Sequence, residues 1–374
     1  MSGAVDREEA LPVVLVGAGS MGRNWIRTIG ASPDARLAGI VDLDLELAAR
    51  VAQEEALDVV LGSSVAEVAA QSGAVAVVNV TVPAAHRPVN EEALFAGLPV
   101  LCEKPIAPTL VDALQQAALA EVAGGLLMVS QSRRFYNELA RLRSIADRLG
   151  RVGAIATEFY KAPHFGGFRD RMEQPLLIDM AIHQFDMARY LLRADPVSVS
   201  CSSWNPAWSW FDGDASATAT FEFDDGARYT FTGSWCAPGR ETSWNGSWRV
   251  SAEHGTAVWD GEGVPEAEGS DGLPIDRLPD APAGPEEIAG SLAEFVRCLR
   301  TGEVPQSEIH ENIDSLAMVE AAVLSADTGE RVDLPQLLER RYAEAVRTER
   351  RADVRERLEQ WGSVARLRGA EVAS

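Results

Sequence analysis

The first third of the chain alternates short apolar runs with segments long enough to form helices. The apolar runs lie at 13–16, 37–41, 75–80, 99–102 and 126–129. Strands that are apolar at nearly every position are buried on both faces, as in a parallel sheet covered by helices. Between two of the runs, Thr109 and Asp112 are placed to cap a helix that Gly124 ends. The pattern therefore predicts a doubly wound α/β domain.

In the middle of the chain the pattern changes to strict alternation. From Ser216 to Phe223, Ala and Phe on one side alternate with Thr and Glu on the other. Asp225-Gly226 separates this run from a second alternating run at 228–235, which is typical of an antiparallel hairpin. Further strand-like runs lie at 153–161, 197–204 and 247–259, and helices are expected at 137–149 and 176–192. The pattern predicts an α+β domain with an open, mostly antiparallel sheet.

Composition narrows the possible functions. The chain carries 34 basic and 56 acidic side chains, a formal net charge of −22, and a negative field works against nucleic-acid binding. No apolar run approaches the length of a membrane span, and the acidic N-terminus is unlike a signal peptide. The four cysteines are far apart and lack metal-ligand spacing. We therefore expect a cytoplasmic protein with reduced cysteines, no metal site, and no nucleic-acid or membrane partner.

A glycine-rich turn follows the first apolar run. Gly17-Ala18-Gly19-Ser20-Met21-Gly22 connects this predicted strand directly to a helical segment. In this context the first Gly permits a tight turn, the second lets the backbone approach a pyrophosphate, and the third lets helix and strand pack closely. Asp42 ends the second apolar run, where a carboxylate accepts hydrogen bonds from ribose hydroxyls and repels a 2′-phosphate. The motif predicts binding of NAD rather than NADP; a Gly-rich turn in a non-binding α/β domain is the alternative.

Polar residues also follow the next two apolar runs. Thr81, Pro83 and His86 come after the run at 75–80, and Glu103 and Lys104 come after the run at 99–102. Ligands of open parallel sheets bind at the carboxyl ends of the strands, which places Lys104 near the nicotinamide. Arg accounts for all but two of the 34 basic residues. An ammonium differs from a guanidinium because it is compact and its pKa can be tuned. A surface charge at a strand end is the alternative for Lys104.

The helix predicted at 176–192 carries a carboxylate and an imidazole four residues apart. Asp179 and His183 would share one face of a regular helix. The carboxylate can orient the imidazole, whose unperturbed pKa near 6.5 suits proton exchange with a hydroxyl group. A surface ion pair or a buried, hydrogen-bonded His is the alternative. The remaining histidines show no metal-ligand spacing.

Together these motifs resemble the Gfo/Idh/MocA family of glucose-fructose oxidoreductase and inositol dehydrogenase, over about residues 12–334. They match in order: the GAGSMG turn, Asp42, the NVTVP run with His86, Glu103-Lys104-Pro105, the Asp179 and His183 pair, and the closing stretch at 310–334. The resemblance implies a Rossmann domain, a second domain whose open sheet often mediates oligomerisation, NAD(P) binding, and oxidation or reduction of sugars, polyols or related compounds.

The resemblance also implies roles for single residues. Lys104 and His183 would be catalytic, with Asp179 assisting. The cofactor would contact Gly17, Gly19, Ser20, Met21, Gly22, Asp42, Thr81, Pro83, His86 and Glu103. Gln131, Arg134 and Tyr160 are candidate substrate contacts, with strand-end solvation and sheet packing as alternatives. The sequence departs from the family pattern just before Asp179 and at Ala181, where many members have Gly.

These patterns divide the chain into three predicted segments. We predict an NAD-binding Rossmann domain at 1–130, a substrate and oligomerisation domain at 131–334, and an amphipathic helical extension at 335–374. Within the second segment, residues 261–287 are rich in Gly, Pro and acidic residues and predict an irregular surface excursion. The extension either packs on its own subunit or binds a partner.

The expected function is NAD-dependent oxidoreduction between a secondary alcohol and a ketone of a sugar, cyclitol or related polyol. One alternative is an NAD-requiring glycosidase or lyase that uses transient oxidation. Another is a non-catalytic dinucleotide or sugar sensor. An open sheet usually requires covering, so a homodimer or homotetramer is expected.

Overall fold

In the computed structural model the chain is described over residues 9–275 and 278–365. It divides into two compact units. The first unit contains the chain up to Ser132, Pro285–Ile313 and the chain from Arg340 onward. The second unit contains Arg133–Gly284 and Asp314–Glu339. Each unit is therefore built from separate stretches of the sequence.

The first unit is built on a six-stranded parallel sheet. Its strands are β1 (Leu11–Val16), β2 (Ala35–Val41), β3 (Val60–Gly62), β4 (Ala76–Asn79), β5 (Val100–Glu103) and β6 (Leu127–Ser130). Their order is β3-β2-β1-β4-β5-β6, and all neighbours are parallel. The apolar runs predicted every strand except β3, which has three residues and no buried position. The predicted doubly wound sheet is confirmed.

Helices connect the strands of this sheet. They are α1 (Ser20–Ala31), α2 (Leu45–Glu54), α3 (Val65–Ser72), α4 (Pro83–Phe95) and α5 (Leu110–Ala123). The predicted boundaries of α5 are correct, because the Thr109 hydroxyl accepts a hydrogen bond from the Asp112 N–H at 3.2 Å. Gly124 then ends the helix in the left-handed conformation.

The second unit is built on an eight-stranded sheet. Its strands are β7 (Val152–Tyr160), β8 (Pro196–Trp204), β9 (Ser216–Phe223), β10 (Arg228–Ser234), β11 (Ser247–Ala252), β12 (Gly255–Trp259), β13 (Glu266–Gly269) and β14 (Val332–Asp333). Their order is β13-β12-β11-β7-β10-β9-β8-β14. Among these described strands, all neighbours are antiparallel except β7 and β10. The predicted open, mostly antiparallel sheet is confirmed.

Two helices of the second unit precede β7 and β8: α6 (Asn137–Arg148) and α7 (Ala181–Leu192). Phe185 of α7 packs against the buried face of the β9–β10 hairpin. Its ring centroid lies 4.8 Å from that of Phe221 and 5.4 Å from that of Phe231, both in edge-on geometry. This packing fixes α7, which carries His183, on one face of the sheet.

Two expectations about this unit need correction. Residues 261–287 are not wholly irregular, because they contain β13, which pairs with the preceding strand β12. The predicted continuous helix at 176–192 begins instead with a π-helical turn, Leu176–Met180, before α7. A π turn changes the angular offset between residues, so Asp179 and His183 do not have the regular helical spacing that the sequence suggested.

The remaining helices are α8 (Glu287–Thr301), α9 (Ile309–Thr328), α10 (Leu334–Thr348) and α11 (Ala352–Trp361). The structure has two helices, α10 and α11, where the sequence predicted a single helix after residue 335. The last part of that predicted helix, at 366–374, lies outside the described residues. The break follows from Glu349, whose buried carboxylate accepts the N–H groups of Arg350 and Arg351 at 2.7 and 2.8 Å. The same carboxylate pairs with Arg87 of α4.

The apolar side of α11 packs within the first unit. Val354, Leu358 and Trp361 are buried, and the Trp361 indole donates to Glu121 of α5 at 2.9 Å. The described part of the extension therefore packs on its own subunit. None of the described helices combines the length and apolar composition needed to cross a membrane.

Candidate cofactor site and active site

The glycine-rich turn has the backbone geometry that its sequence predicted. Gly17 has φ +103°, and a Cβ there would lie 3.0 Å from the Val80 carbonyl oxygen. A Cβ at Gly22 would lie 2.1 Å from the carbonyl oxygen of Gly17. Larger residues at either position would clash with backbone atoms, so both positions require Gly.

Gly19 differs from its neighbours because space is open around it. Among the described residues, no heavy atom lies within 4 Å of the position that its Cβ would occupy. Gly19 is also the N-cap of α1 and brings no side chain to the first helical turn, where Ser20 and Met21 are exposed. N–H groups and a helix dipole directed at open space form an anion site. The turn therefore fits the pyrophosphate of a dinucleotide.

Asp42 lies against this turn at the carboxyl end of β2. Its Oδ2 accepts a hydrogen bond from the Ala18 N–H at 2.7 Å, and its Oδ1 accepts one from the Asp44 N–H at 2.9 Å. Each carboxylate oxygen can accept a second hydrogen bond, which a ribose hydroxyl could donate. The following residues, Leu43 to Glu46, include no basic side chain.

The loop after β4 is held by buried polar groups. The Thr81 N–H and hydroxyl both donate to Asn79 Oδ1, at 3.2 and 2.7 Å. His86 is fully buried, with Nε2 3.0 Å from the Thr81 carbonyl oxygen and Nδ1 3.3 Å from the Ile106 carbonyl oxygen. Burial lowers the pKa of His86, against hydrogen bonds to these carbonyls that raise it. His86 thus connects the loop after β4 with the loop after β5. Pro83, also a predicted cofactor residue, is the first residue of α4.

Glu103 connects β5 with α1. Its Oε1 accepts a hydrogen bond from the Trp25 indole at 2.8 Å, and its Oε2 accepts one from the Lys104 N–H at 3.1 Å. Burial raises the pKa of the Glu103 carboxyl, although these hydrogen bonds and the Lys104 charge oppose the rise. The peptide bond between Lys104 and Pro105 is cis. These contacts fix the backbone of Lys104, and Trp25 is a supporting residue that the sequence motifs did not reveal.

In the first unit, the structure brings the predicted cofactor residues to one edge of the parallel sheet. Direct contacts connect the residues at this edge: Ala18 with Asp42, Gly17 with the Val80–Thr81 peptide, and Trp25 of α1 with Glu103 at the end of β5. Lys104 directly follows β5 at the same edge. This is the edge at which open parallel sheets bind ligands.

In the second unit, the proposed acid–base pair lies where the π turn meets α7. Asp179 is in the π turn and half-buried, and His183 is in the first turn of α7 and 7% exposed. The sequence motifs assign no contact between Arg169 and Asp179, yet Arg169 Nε donates to Asp179 Oδ2 at 2.6 Å. No sequence pattern signals this contact, because Arg169 precedes Asp179 in an irregular segment.

A buried ion pair anchors α7 one turn beyond His183. Arg134 donates through two nitrogens to the two carboxylate oxygens of Asp186, both at 2.7 Å. Ser315 also donates to Asp186, and Arg189 donates to Ser315. Arg134, considered from the sequence as a substrate contact, is buried and engaged with Asp186 in this structure. Breaking such a buried pair is strongly destabilising.

Comparison with known proteins identifies the family. Residues 11–131 match the model of the oxidoreductase family with an NAD-binding Rossmann fold, and residues 140–258 match the Gfo/Idh/MocA C-terminal domain. The inositol 2-dehydrogenase of Streptomyces avermitilis is 30% identical over 348 residues, which cover 87% of this chain and 94% of that protein. The chain belongs to the Gfo/Idh/MocA oxidoreductase family. The resemblance inferred from the motifs is confirmed.

Other members are similar at lower identity. D-apiose dehydrogenase of Paraburkholderia graminis is 27% identical and covers 86% of this chain and 89% of its own length. Among solved structures, an oxidoreductase from Agrobacterium radiobacter in complex with NAD+, L-tartaric acid and magnesium superposes with a TM-score of 0.78 at 22% identity, covering 87% of this chain and 99% of that chain. This Gfo/Idh/MocA protein therefore belongs to a family of NAD(P)-dependent sugar and inositol oxidoreductases.

Two further candidate substrate residues of this Gfo/Idh/MocA member have different environments. Gln131 follows β6 and is fully buried, and neither its side-chain oxygen nor its nitrogen has a hydrogen-bond partner among the described residues. Buried unsatisfied amides are rare and require an explanation such as an absent water or ligand. Tyr160 ends β7, where burial and the charge of Glu158 raise the pKa of its hydroxyl. Both residues remain predictions as substrate contacts.

Proposed function

We propose that this protein is an NAD-dependent dehydrogenase that interconverts a secondary alcohol and a ketone of a sugar, cyclitol or related polyol. Two contacts carry the proposal. Lys104 directly follows β5, and its N–H is bonded to Glu103. Asp179, four residues before His183, accepts a hydrogen bond from Arg169. The names of family relatives support the substrate class, since they include inositol 2-dehydrogenase, D-apiose dehydrogenase and 1,5-anhydro-D-fructose reductase.

The first unit would hold the dinucleotide. The N–H groups at the start of α1 would bind its pyrophosphate, and Asp42 would accept hydrogen bonds from the adenosine ribose. A 2′-phosphate would meet the Asp42 carboxylate with no neighbouring basic side chain at 43–46, which favours NAD over NADP. NAD, when bound, supplies the acceptor for the hydride of the carbinol carbon.

The catalytic residues would transfer the substrate proton and stabilise the charge on the substrate oxygen. In the oxidation direction, His183 accepts the hydroxyl proton as a general base. The Lys104 ammonium donates a hydrogen bond to that oxygen and stabilises the negative charge that develops on it. Asp179 stabilises the imidazolium that His183 becomes. In the reduction direction, His183 returns the same proton to the ketone oxygen.

The direct test is to follow NADH formation by the purified protein with a panel of cyclitols, aldoses and sugar acids. We expect Lys104→Ala and His183→Ala to lower kcat by at least about 100-fold, the usual contribution of a general base or oxyanion donor. Lys161→Ala is the matched control, because Lys161 is the only other Lys and its ammonium is paired with Glu241.

Three results would contradict this proposal. Unchanged turnover in both variants would remove Lys104 and His183 from the mechanism. Cleavage of aryl glycosides without net NADH formation would favour the NAD-requiring glycosidase or lyase. NAD binding without turnover of any carbohydrate would favour a dinucleotide or sugar sensor.

A further inference from the structure

Arg169 forms a specific contact with the proposed catalytic carboxylate. Its Nε donates to Asp179 Oδ2 at 2.6 Å, which is a short, charge-assisted hydrogen bond. The two side chains are 35% and 19% exposed, so solvent screens the pair only in part. The contact spans ten residues of chain and connects the segment after β7 with the π turn.

The Arg169 side chain is itself held in place. Its guanidinium carbon lies 5.2 Å from the ring centroid of Phe165 and 4.8 Å from that of Phe168. Cation–π contacts of this length restrict a side chain that is otherwise flexible. These two ring contacts limit the orientations that the guanidinium adopts beside Asp179.

The backbone around Arg169 is also anchored. Arg169–Arg171 forms a short 3₁₀ helix. The Asp212 N–H donates to the Asp170 carbonyl at 2.8 Å, and the Asp214 N–H donates to the Glu173 carbonyl at 2.7 Å. These bonds attach the segment that carries Arg169 to the segment before β9. A cation on an anchored backbone can hold a carboxylate in one orientation.

We infer that Arg169 is a positioning residue for Asp179 in the proposed reaction. It holds the carboxylate in the orientation that stabilises the positive charge on His183 when the imidazole accepts the substrate proton. The proton moves only between the substrate oxygen and His183; Arg169 and Asp179 keep their charges throughout. This inference rests on the proposed function, and it adds a residue that acts on the catalytic pair without touching the substrate.

The first test compares Arg169→Met, Arg169→Lys and the control Arg171→Met, using a substrate found with the wild-type protein. Met keeps an unbranched stem and removes the charge, whereas Lys restores a cation that can reach Asp179. We expect Arg169→Met to lower kcat about tenfold, as for loss of a charged hydrogen bond, with KM changed less than about twofold. Arg169→Lys should recover most of this loss.

Arg171→Met removes the same charge from the same 3₁₀ helix at an exposed position, so it should retain wild-type kcat and KM. Thermal unfolding of every variant shows whether it folds. If Arg169→Met does not fold, Arg169→Lys and Arg169→Gln provide the comparison of charge retained with charge removed.

A double-mutant cycle separates positioning from a general structural effect. In an Asp179→Asn background, Arg169→Met should cause no further fall in kcat, because the carboxylate that it positions is gone. Losses that multiply in the double variant would overturn the inference. So would a raised KM with unchanged kcat, because Arg169 would then bind substrate directly.

The test also distinguishes this inference from the proposed function. If the wild-type protein turns over a substrate and Arg169→Met does so equally well, only the role of Arg169 is rejected. If the wild-type protein binds NAD but turns over no member of the panel, the proposed function is rejected and the role of Arg169 with it.

Discussion

The Asp42 carboxylate joins the glycine-rich turn to the start of α2. Its two oxygens accept N–H groups from Ala18 in the glycine-rich turn and from Asp44 at the start of α2. These bonds fix the carboxylate where the ribose of a bound dinucleotide is expected. A phosphate on that ribose would bring two like charges together, which costs several kcal/mol at an interface.

The Asp42→Asn variant tests this electrostatic argument. We expect the wild-type protein to bind NADH at least about tenfold more tightly than NADPH, and the variant to lose most of that preference, since Asn removes the charge and keeps an oxygen acceptor. Isothermal titration with both cofactors measures the ratio. Asp44→Asn is the control, because Asp44 caps α2 through Leu47 and carries the same charge two positions away. Tighter binding of NADPH by the wild-type protein would contradict the prediction.

The positions of candidate residues were predictable where they depend on strand ends. Their side-chain contacts with other segments were not predictable. Gly17, Asp42 and Lys104 follow apolar strands, and parallel pairing alone brings strand ends to one edge. The contacts of Trp25 with Glu103 and of Arg169 with Asp179 connect segments that no local pattern relates. The same limit applies to Arg134, whose partner Asp186 lies 52 positions away.

The last helix, α11, is held to the first unit by a cluster of charged groups around Glu121. His310, Arg357 and Trp361 all donate to the Glu121 carboxylate. Burial opposes protonation of His310, but its hydrogen bonds and charge attraction to Glu121 and Glu308 outweigh burial and raise its pKa to about 9. The protonated imidazole therefore connects α5, the start of α9 and, through Glu121, the end of α11.

This cluster predicts a specific dependence of stability on pH. The pKa of His310 is about 9 in the folded protein and 6.5 for a free imidazole, so the stabilisation by His310 is complete below pH 6.5, declines between pH 6.5 and 9, and is absent above pH 9. The amplitude is about 3 kcal/mol by linkage. His310→Gln should be less stable than the wild-type protein at pH 6 and nearly equal to it at pH 9.5, as measured by urea unfolding.

The exposed residue His254 provides the control for that experiment. His254→Gln should leave the difference between pH 6 and pH 9.5 unchanged. A constant gap between His310→Gln and the wild-type protein at all pH values would show that His310 packs in this cluster without carrying a charge.

Helices and strands were predictable where local sequence signals mark their ends. Thr109 and Gly124 mark both ends of α5, and both act as caps in the structure. The break between α10 and α11 was missed because it depends on Glu349, which is buried against Arg87 of a distant helix. The strand β13 was missed because its acidic sequence lacks apolar alternation and its pairing depends on β12.

The sheet of the second unit has one face packed by α7 and an opposite face that the described residues leave exposed in part. Ala154, Ala156, Thr220 and Thr230 are exposed on this second face. A groove of about 520 Å³ crosses it between β7 and β12, lined in part by Ala156, Arg249 and Val258. Small side chains on a broad sheet permit close approach of another sheet, and a symmetric homo-oligomer is the commonest way to cover such a face.

The whole molecule is therefore expected to be a homodimer or homotetramer that associates through this sheet face. Val258, 38% exposed in the groove, provides the test. An arginine in its place would introduce an unpaired charge into a closely packed interface, so Val258→Arg should weaken association by at least about 100-fold and release monomers at micromolar concentration. Light scattering after size exclusion measures the mass of each species. Val304→Arg is the control, because Val304 is exposed outside this sheet and its substitution should leave the mass unchanged. A monomeric wild-type protein, or a Val258→Arg variant with wild-type mass, would show that this sheet face does not hold the subunits together.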